Sequence, residues 1–525
     1  MSAIRKIARS AGVVGVSTLA SRVLGLVRDM VMSAYFGAGP VADAIYIAFM
    51  LPNLFRRLVG EGAPVASFIT VFTKLKQEEG DEAGIRFAET FWTLMTVILA
   101  AMTLAGMIGA RPLVWAFTNP EFRAVADKYE LAITLTRQMF PYLFFISLVA
   151  LAMGILNSYK KFFAPAISPA LLNICYIGAV VLLRRFYGSS ATPVVIGVLL
   201  GGVAQLAVQL PWLWQVGLRF RPRFDFSHPG IKKIGLLVLP STFAVGVSQI
   251  NTLISNFFIT AFEGGRSQFY YSNRLTEFPF AIISLALATA ILPTLSEQAG
   301  PSDHEKFRST FISGLRLTAF LMIPASLGLV LIGHPLIEII YQRGKFTAAD
   351  TDLTYWMLAA FCLELPAIAG HRLVVQAYYA LEDMRTPVLT AIAALITNLV
   401  CAWLFTRWLG ASGVPLALAA ASIVNLAILA GLLPKKFSAG LGAEGLTGLI
   451  FKSALASAAM VAPVHAVHQY IYPVGGPIYL RVGILVIEIA GAVVVFVASA
   501  KLMKIPELDE IISVFFGKLR RKFGK

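Results

Sequence analysis

Arg22, Arg28, Asp29, Asp43, Arg56, Arg57 and Glu61 interrupt two long apolar runs near the start of the chain. A charge at bilayer depth costs at least about 2.5–3.5 kcal/mol, so these side chains must face a cavity lined by water or protein. Four arginines stand against three acids, and the surplus invites an external anion. Arginine suits phosphate because its planar fork binds bidentately and stays charged. Further on, Asn273, Arg274 and Glu277 lie in another apolar run, with Arg274 and Glu277 spaced i, i+3. Arg28 and Arg56 from one half, facing Arg274 from the other, would clamp a diphosphate. A ligand held by both halves can favour one arrangement of them, as transport requires. The competing assignment is that the charges pair among themselves. Arg57 and Glu61 are spaced i, i+4. Arg22 and Asp29 lie two turns apart on one face, while Arg28 is about 100° round from Asp29.

The elements that position these residues follow from composition. The chain has 525 residues, 58% hydrophobic and 14% charged, whereas soluble domains carry roughly 25% charged residues. Apolar runs of spanning length recur near 12–36, 42–73, 88–110, 134–157, 163–184, 192–216, 233–261, 269–296, 311–334, 353–379, 387–406, 412–433, 447–470 and 480–503. The expectation is an all-α polytopic membrane protein of about fourteen transmembrane helices. Pro52, Pro64, Pro240, Pro279 and Pro366 fall within runs and predict bends, which usually line cavities. Arg5, Lys6 and Arg9 precede the first run in the manner of a signal peptide, but the run continues past Arg22 without a small-residue cleavage site, so the first span is expected to be retained.

The net charge of +16 reflects loops rather than a nucleic-acid surface, since no basic stripe with interleaved aromatics is present. Alternate loops carry roughly 25 basic residues on one side and roughly 10 on the other, which predicts both termini in the cytoplasm. Arg184 and Arg185 break the pattern. An internal repeat is visible in Pro165 and Pro193 against Pro387 and Pro415, both pairs at an offset of 222 (387 − 165 and 415 − 193). Two six-span lobes of like orientation, 1–218 and 219–434, would then be followed by two extra spans in 435–504 and a basic amphipathic tail, 505–525, suited to an anionic lipid surface.

Other polar residues point to local pairing. Glu364 and Arg372, eight apart in one run with His371, are expected to pair. His465 and His468 read as interfacial histidines with no metal, and Glu488 is isolated, with a neighbour or a proton as its partner. Cys175, Cys362 and Cys401 read as small buried hydrophobes. No phosphate-binding loop, HExxH or GxSxG sequence occurs, so an enzyme is not expected, nor is any cofactor. A multidrug exporter would want acids or aromatics around an organic cation, and the arginine surplus argues against it.

The stretches Ser21-Arg22-Val-Leu-Gly25-Leu-Val-Arg28-Asp29, Phe36-Gly37-Ala38-Gly39, Asp43-Ala44, Leu51-Pro52-Asn53-Leu54-Phe55-Arg56-Arg57 and Glu61-Gly62-Ala63 resemble the MurJ (MviN) family of lipid II flippases. So do Leu171-Leu172-Asn173, Gly201-Gly202 with Gln205 and Gln209, Tyr270-Tyr271 with Arg274, Leu275, Glu277, Phe278 and Pro279, and Gly344-Lys345-Phe346-Thr347. That family belongs to the multidrug/oligosaccharidyl-lipid/polysaccharide exporter superfamily. The resemblance implies a bacterial inner-membrane transporter for peptidoglycan biosynthesis. It would move lipid II, an undecaprenyl-diphosphate-linked precursor, to the outer leaflet by alternating access. It implies substrate arginines at Arg22, Arg28, Arg56 and Arg274, supporting acids at Asp29, Asp43 and Glu277, and a lipid-tail groove formed by the last two spans. Other cell-wall synthesis proteins are possible partners. Some members carry a sodium site, but Ser255 and Ala402 stand here where acids would be needed, so no metal is expected. Asn273 stands where some relatives carry Asp. A flippase for another polyprenyl-diphosphate glycan fits the electrostatics equally well.

Overall fold

The computed structural model describes residues 3–60, 62–225, 227–300, 303–437, 445–473 and 476–513. Among the described residues the secondary structure is helical throughout, with no strand. The elements are α1 (Ala3–Phe36), α2 (Pro40–Phe55), α3 (Ala63–Glu79), α4 (Asp81–Ile108), α5 (Ala110–Phe117), α6 (Pro120–Ala124), α7 (Ala126–Met139), α8 (Pro141–Ser158), α9 (Phe163–Tyr187), α10 (Thr192–Ala207), α11 (Leu210–Gln215) and α12 (Pro229–Ile259). They continue with α13 (Gly265–Pro279), α14 (Ala286–Glu297), α15 (His304–Tyr341), α16 (Ala348–Ala380), α17 (Arg385–Leu409), α18 (Gly413–Leu432), α19 (Leu446–Ala458), α20 (Val461–Tyr470) and α21 (Ile478–Leu502). Eleven stretches are long and apolar enough to cross a membrane, one of them, Arg385–Lys436, holding both α17 and α18. The long helices α1 and α12 lie outside those eleven, so the expected count of fourteen is compatible with the helices observed.

Prolines shape the helices in two ways. Pro40, Pro141, Pro193 and Pro229 stand at the first turns of α2, α8, α10 and α12, where a missing N–H costs nothing. Pro52 and Pro279 lie inside helices instead, and each is followed by a π-helical stretch, Arg56–Gly60 and Phe280–Leu285. An interior proline removes an i→i−4 bond and crowds the preceding turn, and a wider turn relieves both. Pro64 instead follows a break, since α3 starts after Gly62, whose φ is +76°. Pro366 is carried within a continuous α16.

By contacts the chain divides into two compact units. The first comprises Met1–Ser267 with Arg343–Phe346, and the second Gln268–Gln342 with Thr347–Lys525. In the first unit a cluster including Phe68, Phe72, Phe87, Phe91 and Trp92 joins α3 and α4 to Leu148, Leu151 and Ile155 of α8. Glycines bring helices together here: a Cβ on Gly201 would strike Leu172, and one on Gly202 would lie 3.1 Å from Tyr142. Small residues at helix contacts are how membrane helices gain packing without a hydrophobic drive between them. The loop after α11 is strapped down by buried Glu89, which accepts from Arg223 Nε at 2.6 Å.

In the second unit one cluster joins Phe307 and Phe311 of α15 to Leu373 and Tyr378 of α16 and Leu429 of α18. A second places Leu449, Ala456, Val464 and Phe496 of the last helices around Phe320 of α15, together with Ile505 and Leu508. The chain turns after α21 into a helical stretch from Pro506, where buried Glu507 accepts from Arg316 Nε at 2.5 Å. Tail residues Phe515, Lys518, Leu519, Arg520, Arg521, Lys522 and Lys525 lie outside the described residues.

Candidate functional site

The long α1 carries Arg22, Arg28 and Asp29 away from its ends. Arg28 and Asp29 are buried and paired: Arg28 donates to Asp29 Oδ1 from Nε at 3.1 Å and from Nη2 at 2.9 Å. Adjacent helix positions were expected to point apart, but the long arginine side chain wraps round the helix to reach its neighbour. The guanidinium also lies over the Tyr176 ring of α9, 5.5 Å from its centre, while Tyr176 Oη donates to Met32 Sδ at 3.1 Å. Arg28 is thus held by a carboxylate and an aromatic face. Asn173, from the Leu171-Leu172-Asn173 stretch, donates to Ser21 O at 3.2 Å, one residue before Arg22. Arg22 itself is half-buried and makes no ion pair among the described residues.

Asp43 is fully buried in the first turn of α2. Its Oδ2 accepts from Lys128 Nζ of α7 at 2.8 Å and from Gly264 N at 3.0 Å. Its Oδ1 accepts from Ser267 N and Ser267 Oγ, both at 2.9 Å. Gly264 and Ser267 open α13, the helix that carries Arg274, so Asp43 satisfies amides that a helix start leaves without partners. Lys128 did not stand out in sequence, where it was one loop-flanking lysine among many; 85 residues separate it from its partner.

Arg56 begins the first π-helical stretch and is half-buried, whereas Arg57 beside it is exposed. Arg57 makes no ion pair among the described residues, and its expected partner Glu61 lies outside them. On α13, Arg274 Nη1 donates to Glu277 Oε2 at 2.8 Å, the pairing expected from their spacing. Both remain partly open, with side-chain exposures of 24% and 50%. Pi-helical turns concentrate at functional sites, and here each follows an interior proline in a helix that carries one of the singled-out arginines.

Two motif stretches meet within the first unit. Lys345 N donates to Ala34 O at 3.0 Å, just before Gly37. Gly37 and Gly344 have φ of +66° and +60°, and a Cβ on Gly37 would lie 2.6 Å from Lys345 O. In the second unit Thr347 and Asp350 form a capping box that starts α16.

Elsewhere the expected pairing of Glu364 with Arg372 is not made. Ser422 Oγ of α18 donates to Glu364 at 2.8 Å, and Arg372 lies over the Phe280 ring at 5.1 Å. Residues eight apart are more than two turns distant along a helix, and each found a closer partner on a neighbouring one. Arg184 lies 4.1 Å over the Tyr35 ring and Arg185 4.6 Å over Phe186. The three cysteines are free; Cys362 is buried, Cys175 and Cys401 half-buried. Ser255 and Ala402 are both buried.

A family model described as "Lipid II flippase MurJ" matches residues 32–480. The chain belongs to the lipid II flippase MurJ family. A probable lipid II flippase MurJ of Bdellovibrio bacteriovorus is 34% identical over 465 residues, covering 88% of each chain. A lipid II flippase MurJ of Burkholderia cenocepacia is 34% identical over 417 residues, covering 78% of this chain and 81% of the relative. The fold is similar to a solved "Lipid II flippase MurJ, inward closed conformation", with a TM-score of 0.75, 24% identity and coverage of 96% and 99% of the two chains. It is also similar to an inward-facing multidrug resistance MATE family transporter of the MOP superfamily, with a TM-score of 0.65 and 16% identity over 80% of this chain and 96% of that one. The family and its apolar helices make this a multi-pass inner-membrane transporter rather than an enzyme.

Proposed function

We propose that this chain is a flippase that carries lipid II from the cytoplasmic to the periplasmic leaflet by alternating access. Family membership supports the substrate class, because the matched relatives are described as lipid II flippases. Solved relatives in inward-closed, inward-facing and outward-facing states favour the mode of movement. In this reading Arg22, Arg28, Arg56 and Arg274 line a cationic cavity that binds the diphosphate, while Asp29, Asp43 and Glu277 hold and orient helices and guanidinium groups. The observation that carries it is the state of Arg28. It is buried, oriented by Asp29 and Tyr176, and set in an apolar helix, where a cation is retained only at a cost.

The same reading treats 1–218 and 219–434 as repeat-related lobes, 435–504 as a groove for the lipid tail, and 505–525 as a basic tail, with both termini cytoplasmic. Positive charge in the empty cavity would let the membrane potential favour the return step, at about 2.3 kcal/mol per charge per 100 mV. Other cell-wall synthesis proteins are proposed partners.

The test is complementation in cells depleted of their own flippase. Arg28→Ala, Arg56→Ala and Arg274→Ala, each at normal protein level, are expected not to support growth. Growth with all three would end the anion-clamp reading. Comparing binding of lipid II, another polyprenyl-diphosphate glycan and a lipid with a neutral head group separates the diphosphate from the glycan as the recognised feature.

A further inference from the structure

Glu488 is a buried carboxylate in the middle of the last helix, 2% exposed. Neither of its oxygens accepts a hydrogen bond from a described residue. The group nearest to serving it is His468 of α20, whose Nδ1 stands 3.6 Å from Glu488 Oε1. That is longer than a hydrogen bond and short enough for a strong charge interaction in an apolar setting. The His468 side chain is 38% exposed on its other face. Its ring stacks on Tyr472 with centres 4.8 Å apart.

The other charges nearby are already committed. Arg481, on the same helix as Glu488, donates to Glu338 Oε1 of α15 at 2.7 Å, and Tyr472 Oη donates to Glu338 Oε2 at 2.8 Å. On α15, His334 is bound to Asp352 at 2.9 Å. On α20, His465 is the second histidine. On α19, Lys452 donates to Met503 O at the far end of α21. Lys501 lies 13 residues beyond Glu488 on α21, roughly three and a half turns away. Of the facing groups, His468 alone is placed to answer the Glu488 charge.

We propose that Glu488 and His468 form a proton-binding site that holds one exchangeable proton between the last two membrane helices. With the proton bound, the pair is neutral overall, either as carboxylic acid and imidazole or as carboxylate and imidazolium. Releasing it leaves a bare carboxylate in an apolar interior, which is costly. The proton is exchanged with water at the exposed face of His468, and only an O–H or N–H bond is made or broken. Occupancy of this site is thereby linked to the apposition of α20 and α21. The assignment is independent of which lipid the protein carries.

The experiment is a pH titration by infrared spectroscopy of the full-length protein in lipid nanodiscs, with Glu488→Gln and His468→Gln variants. The unaltered protein is expected to show a pH-dependent carboxyl band that Glu488→Gln abolishes. His468→Gln should move its midpoint by about one pH unit or more, the signature of coupled groups. If Glu488→Gln leaves the titrating bands unchanged, the site does not exist. If His468→Gln leaves the midpoint in place, Glu488 is not part of a pair and the proposal fails. That second comparison needs no Glu488 variant, so it decides the matter even if Glu488→Gln does not fold.

Discussion

Asp43 and Lys128 form a buried ion pair, 2.8 Å from Oδ2 to Nζ, between the first turn of α2 and the start of α7. The carboxylate is also held by the Gly264 and Ser267 amides and the Ser267 hydroxyl. Removing one partner of a buried pair is much worse than replacing both, and costs about 3–5 kcal/mol. Lys128→Ala should therefore lower the melting temperature in detergent markedly, and adding Asp43→Asn should recover part of the loss. A melting curve for Lys128→Ala that overlays the parent would contradict this.

Arg274 tests whether shape or charge matters at the proposed site. Lysine keeps the charge but not the planar fork. Arg274→Lys should bind lipid II about tenfold more weakly, equivalent to about 1.4 kcal/mol, with little change in stability. Equal affinity would mean that any cation suffices.

The turn between α1 and the Gly344-Lys345 segment is sterically closed. Gly37 has φ of +66°, and a Cβ there would press on Lys345 O; a left-handed conformation costs an L-residue about 1–2 kcal/mol before any clash. Gly37→Ala and Gly344→Ala should each reduce thermal stability. Gly39→Ala is the control, since nothing lies within 4 Å of its added methyl.

One loop contact predicts acid sensitivity. Asp383, between α16 and α17, accepts from Lys436 Nζ at 2.8 Å and from Thr386 N and Oγ1. The Lys436 bond, with the Thr386 donors, holds its carboxyl well below the usual range. A depressed folded-state pKa stabilises the fold above the unfolded value, near 3.9, and the benefit is lost as pH falls below it. Melting temperature measured from neutral pH to below about 4 should therefore fall less steeply in Asp383→Asn than in the parent.

Much of the architecture was legible because a membrane imposes a single rule: apolar runs of fixed length become helices. The i, i+3 pair of Arg274 and Glu277 was equally readable, since helix geometry sets it locally. What escaped was partner choice across helices. Lys128 serving Asp43, Arg223 serving Glu89, and Ser422 displacing Arg372 as the partner of Glu364 all depend on which helices become neighbours. Spacing within one helix carries no information about that. The Arg28–Asp29 pair failed for another reason: backbone angle was a poor guide to where a long, flexible guanidinium could reach.

The π-helical stretches after Pro52 and Pro279 carry a consequence for chain length. A π turn holds an extra residue compared with the α turn it interrupts, so each stretch works as a stored angular offset. Deleting one residue inside Arg56–Gly60 or Phe280–Leu285 would restore regular α geometry while turning everything beyond it by about 100°. The helix would survive, but every side chain downstream would be delivered to a different face. In these two helices the number of residues is therefore as binding a specification as their identity.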